Sequence, residues 1–296
     1  MSKFPVRRYH PWTAAALLRE ARETTESCTM DRMLQVNGTD LHVRIDGPDG
    51  APWLVLSNSL GAALDMWDPQ VVACSRDFRL LRYDTRGHGR SAVPPGPYTL
   101  DQLGSDLVGL LDAMGIARAH FCGLSMGGAT GMWLAQHASQ RIDRLVLCNT
   151  TPWLGPPAGM TERIATIRRD GMAALVEGIV QRWFTADAIA RHVATVERIR
   201  QTLLTTPVAG YVGCCEALRD MDQRAQLARI AAPTLVIAGT FDPAPTPAAA
   251  REWASAIPNA RFVELPAAHL SNIGAAAEFN AAVLSFLGTA IGVGGS

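Results

Sequence analysis

Apolar positions along this chain recur in two rhythms, one suited to strands and one to helices. The run at residues 53–56 is apolar throughout, the mark of a strand buried on both faces. Further strands are predicted at 117–122, 145–148, 234–238 and 261–265, and a more mixed one at 78–83, broken by Arg79 and Arg82. Residues 33–36 and 41–45 look like two strands joined at Asn37-Gly38, a dipeptide suited to a tight hairpin. Residues 100–114 carry Leu103, Leu107, Leu110 and Leu111 on one side, which is helical spacing. Helices are also expected at 129–135 and at about 276–287. Strands alternating with helices imply an α/β fold, a mainly parallel sheet with right-handed crossovers. The leading hairpin gives that sheet an antiparallel edge.

Between 151 and 231 the strand rhythm stops. The segment opens on breakers (Pro152, Gly155, Pro156, Pro157) and continues in Ala, Arg, Leu and Met at helical spacing. It reads as an inserted helical cap over the C-terminal edge of the sheet, where open α/β sheets bind ligands. The core is then 30–150 together with 232–288, and the cap 151–231. Residues 1–29 are basic, with Lys3, Arg7, Arg8, Arg19 and Arg22, and a short amphipathic helix at 13–21 is compatible with them. They read as a flexible extension; 14–18 is too short for the apolar stretch of a secretory signal. The Gly-rich end, 289–296, reads as a flexible tail.

Composition narrows the partners. At 296 residues, 48% hydrophobic and 18% charged, the chain can bury a large core. Twenty-seven basic residues balance 27 acidic ones, so nothing argues for nucleic acid or a membrane surface as partner. No run of 18 apolar residues exists, and no transmembrane helix is expected. Six cysteines lie without Cys-x-x-Cys spacing, which suggests neither a zinc site nor a disulfide framework and fits a reducing cytoplasm.

The chemistry centres on Gly123-Leu124-Ser125-Met126-Gly127, between a predicted strand and a predicted helix. A Gly-x-Ser-x-Gly sequence in that setting is a nucleophile elbow: a strained turn that holds the serine hydroxyl out beside a helix N-terminus. A serine needs a base to take its proton and an acid to orient the base. In α/β-hydrolases these follow in the order Ser, Asp or Glu, His. Asp242 stands just after the 234–238 strand and His269 just after the 261–265 strand, which makes Ser125, Asp242 and His269 the expected triad. Asp220 and Asp222 are fallback acids, at cap positions away from a strand end. The backbone N–H groups of Met126 and of Leu60, in the loop Asn58-Ser59-Leu60-Gly61, are the expected oxyanion donors. Many relatives carry His-Gly where this chain has Asn58-Ser59. The stretch from Asp84 to Ser91 follows another strand and reads as structural bracing.

The chain resembles the 3-oxoadipate enol-lactone hydrolases of bacterial aromatic catabolism. The resemblance is carried by Ser57-Asn58-Ser59-Leu60-Gly61, Met66-Trp67-Asp68-Pro69-Gln70, Leu81 through Gly89, His120 through Gly128, Leu145 through Thr150, Leu235 through Pro243 and Ala268-His269-Leu270-Ser271-Asn272-Ile273. It spans about 36–287, cap included; 1–29 has no counterpart, and Pro243-Ala244-Pro245-Thr246-Pro247 alters the usual turn after the acid. The resemblance implies a Ser-His-Asp acyl-enzyme mechanism on a small acidic lactone, with no metal and no organic cofactor, in a cytoplasmic monomer or small homo-oligomer. It also implies a partner for the substrate carboxylate, for which Trp153, Trp183 and the cap arginines Arg168, Arg182 and Arg219 are candidates. A general carboxylesterase or a cofactor-free perhydrolase of the haloperoxidase type is the alternative, and a non-catalytic ligand-binding module a distant third.

Overall fold

The computed structural model describes residues 30–288; the extension 1–29, with its expected helix, and the tail 289–296 lie outside the described residues. Strands β1 (Met30–Val36) and β2 (Thr39–Asp46) form the antiparallel hairpin. Its turn residues have φ of 47° at Asn37 and 70° at Gly38, the left-handed values that a two-residue turn between twisted strands requires. Then follow β3 (Trp53–Ser57), α1 (Asp68–Cys74), β4 (Arg79–Tyr83), α2 (Leu100–Ala113), β5 (Ala119–Leu124), α3 (Met126–His137) and β6 (Ile142–Cys148). After the cap come β7 (Thr234–Gly239), α9 (Pro247–Ala254), β8 (Arg261–Leu265), α10 (Ser271–Gly274) and α11 (Ala276–Gly288). The eight strands form one sheet in the order β1-β2-β4-β3-β5-β6-β7-β8, parallel from β4 onward.

The apolar runs become strands with two buried faces because side chains alternate across a sheet. Leu54 and Leu56 join one apolar cluster and Val55 the other; Leu235 and Ile237 likewise oppose Val236. The arginines that interrupt the β4 run are accommodated by specific partners. Arg82 is buried and paired with Asp46 at 2.7 Å and with Asp68 at 2.8 Å. Arg79 lies over the Trp53 ring, 5.1 Å from its centroid. The elbow strand starts two residues later than its apolar run suggests and extends to Leu124.

Strand order positions the site. From β3 the chain crosses to β4 on one side, and from β4 it returns past β3 to β5 on the other. The loops leaving β3 and β5 therefore diverge, and a crevice opens at the carboxyl ends of these two strands. Over it lie five helices: α4 (Ala158–Asp170), α5 (Ala173–Trp183), α6 (Ala186–Arg191), α7 (Val193–Thr205) and α8 (Val208–Asp220). Ile164, Ile167, Val176, Ile179, Trp183, Val196 and Leu203 of these helices belong to the same apolar cluster as Leu54 and Leu56 of β3. Among the described residues no helix is long and apolar enough to cross a membrane.

Candidate active site

Ser125 stands between β5 and α3 with φ 57° and ψ −113°, a conformation that costs on the order of 1–3 kcal/mol for a residue with a Cβ. Neighbouring strand ends hold it there. The Ser125 N–H donates to the Cys148 carbonyl, and the Gly127 N–H donates to the Asn58 carbonyl, each at 2.9 Å. The turn closes only because its flanks lack side chains. A Cβ on Gly123 would lie 2.2 Å from the Gly127 oxygen, and one on Gly127 would lie 2.1 Å from the Ser57 oxygen. Met126 opens α3, and a first-turn N–H has no partner within its own helix.

Asp242, just past β7, and His269, just past β8, meet at this edge. His269 Nδ1 lies 2.7 Å from Asp242 Oδ2, and both residues are buried. The carboxylate has further donors: Asn149 Nδ2 at 2.9 Å on Oδ2 and the Ala244 N–H at 3.0 Å on Oδ1. Burial alone would raise its pKa. The hydrogen bond and charge of His269, with the donors Asn149 and Ala244, outweigh burial and hold the carboxyl below its usual value. Thus the altered turn at Pro243–Pro247 serves the acid, since Ala244 in that turn donates to it. Asn149 is a further partner, one that no motif or periodicity in the sequence marks. It directly follows β6 with φ 45°, a left-handed value that asparagine tolerates, and its Oδ1 accepts from Ser271 Oγ at 2.6 Å.

The other ring nitrogen of His269, Nε2, is buried without a hydrogen-bond partner among the described residues, and His269 shares a cavity of about 70 Å³ with Ser125. The cap reaches the histidine directly. The Trp183 ring stacks on the imidazole, with centroids 6.4 Å apart and planes 20° from parallel, and the Leu270 N–H donates to the Trp183 carbonyl at 3.1 Å. From below, Asn272 Nδ2 donates to the Met66 carbonyl at 2.8 Å, and Gln70 Nε2 returns a bond to the Asn272 carbonyl at 2.8 Å.

The β3 loop is equally fixed. Asn58 spends its side chain on architecture, donating to the Tyr83 carbonyl at 2.8 Å and accepting from Trp67 Nε1 at 2.9 Å. The Gly61 N–H donates to His88 Nε2 at 2.9 Å. His88 Nδ1 in turn lies 3.2 Å from the Arg86 carbonyl, and burial pushes its pKa below the usual value. A neutral ring with its proton on Nδ1 satisfies both contacts. Met126 lines the cavity; Leu60 is buried in the adjoining loop and is not among the lining residues.

Of the residues expected to meet the substrate carboxylate, Arg182 lines the cavity, and Trp183 stands against His269. Arg168 is instead paired with Glu216 at 2.8 Å, and Arg219 with Asp220 at 2.7 Å. Trp153 lies under Arg224, 4.0 Å from its centroid. Asp222 is paired with Arg224 at 2.6 Å, so neither fallback acid is at the site. A second arginine, Arg163 of α4, lines the cavity with Arg182. Its position beside Ile164 and four residues before Ile167, both buried, was the available signal. The described cysteines are all buried and free, and burial pushes the Cys74 and Cys215 thiols up to about 12, far from nucleophilic at neutral pH. A roomier cleft of about 990 Å³, lined by Thr185, His192 and Phe241 among others, contains neither Ser125 nor His269.

Residues 52–276 match the family model described as the alpha/beta hydrolase fold. A 3-oxoadipate enol-lactonase of Acinetobacter baylyi is 40% identical over 237 residues, which cover 80% of this chain and 89% of that protein. The crystal structure of an enol-lactonase from Burkholderia xenovorans superposes with a TM-score of 0.85 at 50% identity, covering 87% of this chain and 100% of that one. A thermophilic esterase from Thermogutta terrifontis, solved with malate bound, has a TM-score of 0.81 at 27% identity, covering 87% of this chain and 98% of that one.

Proposed function

The chain belongs to the alpha/beta hydrolase fold family, and from that premise we propose that it hydrolyses 3-oxoadipate enol-lactone to 3-oxoadipate through an acyl-enzyme on Ser125. The observation that carries the reading is the His269 imidazole, anchored to Asp242 through Nδ1, with Nε2 unpartnered among the described residues, in a residue that shares a cavity with Ser125. The similarity to enol-lactonases over most of their length supports the substrate class.

His269 takes the Ser125 proton as Oγ attacks the lactone carbonyl. The N–H groups of Met126 and Leu60 carry the oxyanion. Collapse of the tetrahedral intermediate breaks the ring C–O bond and expels an enolate, a better leaving group than an alkoxide, which takes the proton back from the His269 imidazolium and tautomerises to the ketone. A water deprotonated by His269 then attacks the acyl carbon, frees the new carboxylate and returns the proton to Ser125. Asp242, kept ionised by its donors, stabilises the imidazolium in both halves. The same residues would serve a simple ester, so a carboxylesterase is the competing outcome.

Loss of the enol-lactone's ultraviolet absorbance, with p-nitrophenyl acetate in parallel, tests the reading. We expect lactone turnover, and Ser125→Ala to lower it by about 10⁴-fold or more with the fold intact. Brisk acetate turnover with an inert lactone would overturn the substrate; full activity in Ser125→Ala would overturn the site.

A further inference from the structure

The stretch from Asp84 to Ser91, which reads as bracing in the sequence, sends one side chain to the loop of the expected oxyanion donor. Residues 59–62 of that loop form a β-turn, closed by the Ala62 N–H donating to the Ser59 carbonyl at 3.1 Å. Leu60 and Gly61 are its central residues. Gly61 has φ 83°, the left-handed value that the second centre of a type II turn adopts. The closing bond uses the N–H of Ala62 and leaves that of Leu60 out of it. The peptide between the two centres is fixed from outside the loop, by the Gly61 N–H donating to His88 Nε2 at 2.9 Å.

That acceptor is well defined. His88 is fully buried, its Nδ1 lies 3.2 Å from the Arg86 carbonyl, and burial pushes its pKa below the usual value. A neutral ring protonated on Nδ1 carries its one acceptor lone pair on Nε2, which faces Gly61. The cap steadies the same ring. Tyr211 of α8 lies against it with centroids 6.2 Å apart, and Cys214 Sγ of α8 is 4.0 Å from Nδ1. Thr206 also donates from Oγ1 to the Gly61 carbonyl at 3.4 Å. Removing the His88 acceptor would strand a buried N–H, and the turn would shift to find it a partner. An oxyanion donor tolerates little of that: a misplacement of about 1 Å costs on the order of 10²-fold in rate.

We propose that His88 is a positioning residue for the reaction: through Gly61 it holds the turn that aims the Leu60 N–H at the oxyanion. The inference rests on the reading of Ser125 as an acyl-transfer nucleophile, but not on which ester or lactone it attacks.

The test follows turnover of the enol-lactone and of p-nitrophenyl acetate in two variants. In His88→Leu kcat should fall by about 30-fold or more while KM stays within about threefold, since the lost interaction belongs to the transition state. His88→Gln, whose amide oxygen can stand near the place of Nε2, should recover at least about tenfold of that loss. A trifluoromethyl ketone reports on the oxyanion directly. Ser125 Oγ adds to its carbonyl carbon, the serine proton passes to His269, and the carbonyl oxygen becomes the anion. Its Ki should rise in His88→Leu by the factor by which kcat/KM falls. A folded His88→Leu with native kcat, or a loss carried by KM with Ki unchanged, would overturn the role. If the variants fail to fold, ring-nitrogen NMR of the native enzyme decides: His88 should be protonated at Nδ1 and bare at Nε2, and a proton on Nε2 would rule out the bond from Gly61. Full activity in Ser125→Ala would sink the acyl-transfer reading itself. An inert Ser125→Ala beside a native-like His88→Leu would sink only the part given to His88.

Discussion

Two buried histidine–aspartate pairs occupy opposite regions of this molecule, each closed at 2.7 Å: His42 with Asp84, beside the N-terminal hairpin, and His269 with Asp242, under the cap. They differ at the far nitrogen. His42 Nε2 meets Asp31 at 2.9 Å and Arg90 at 3.1 Å, so both sides of the ring are occupied. Asp84 is also spent, accepting from the Leu64 N–H at 2.7 Å and the Arg90 N–H at 3.0 Å. His269 Nε2 has no partner among the described residues, and His269 lines the cavity with Ser125. A histidine–carboxylate pair is thus a closed clasp when both nitrogens are bound, and leaves one nitrogen for a reacting group when they are not, which is the role proposed for His269.

The largest test of that contrast is kinetic. His269→Ala should lower kcat by at least about 10⁴-fold, and Asp242→Asn by about 10³–10⁴-fold, because a base in the wrong tautomer or orientation cannot take the serine proton. His42→Ala should leave kcat within about fivefold of native; comparable losses at both histidines would erase the distinction. Equilibrium unfolding in urea gives the next largest effect, in the other direction. Asp84→Ala should cost about 3–5 kcal/mol, because it strands two backbone donors and a buried imidazole.

The smallest effect is in pH dependence, where the two regions have opposite signs. The hydrogen bond that His42 donates to Asp84 raises the His42 pKa against the cost of burial, with Asp31 adding to it. A raised folded value means that this stability is present in full below about pH 6.5, the unfolded value, and is lost as pH rises through the folded pKa. Asp242 has a depressed folded value, so its contribution holds above about pH 3.9 and is lost as pH falls through the folded pKa. Unfolding free energy measured from pH 5 to 9 should therefore fall on the alkaline side in native protein and fall less in His42→Gln.

The fold was legible from the chain because apolar runs and turn residues are local signals, and Arg261–Leu265 is the strand predicted. The meeting of Ser125, Asp242 and His269 at one edge was also readable, since each follows a strand of a mainly parallel sheet. Asn149 was not, although it too directly follows a strand. Its link to Asp242 depends on a left-handed backbone and on β6 lying beside β7, neither of which leaves a periodic trace. The arginines show the limit most clearly. Arg163, Arg168, Arg182 and Arg219 are alike in one-dimensional pattern, and only the packing of α4 and α5 over the sheet separates those that face the cavity from those neutralised at the surface.

The stacking of Trp183 on His269, with the Leu270 N–H bound to the Trp183 carbonyl, bears on how relatives of this fold can be recombined. The cap is an insertion in the chain, which invites its exchange as a ready-made part. Here the last turn of α5 also supplies the surface against which the His269 imidazole rests. A chimera that imports a foreign cap imports a foreign support for the imidazole with it. On the proposed mechanism, substrate range and proton transfer are inherited together, and a graft that keeps catalysis must keep the native junction at Trp183 and the His269 loop that meets it.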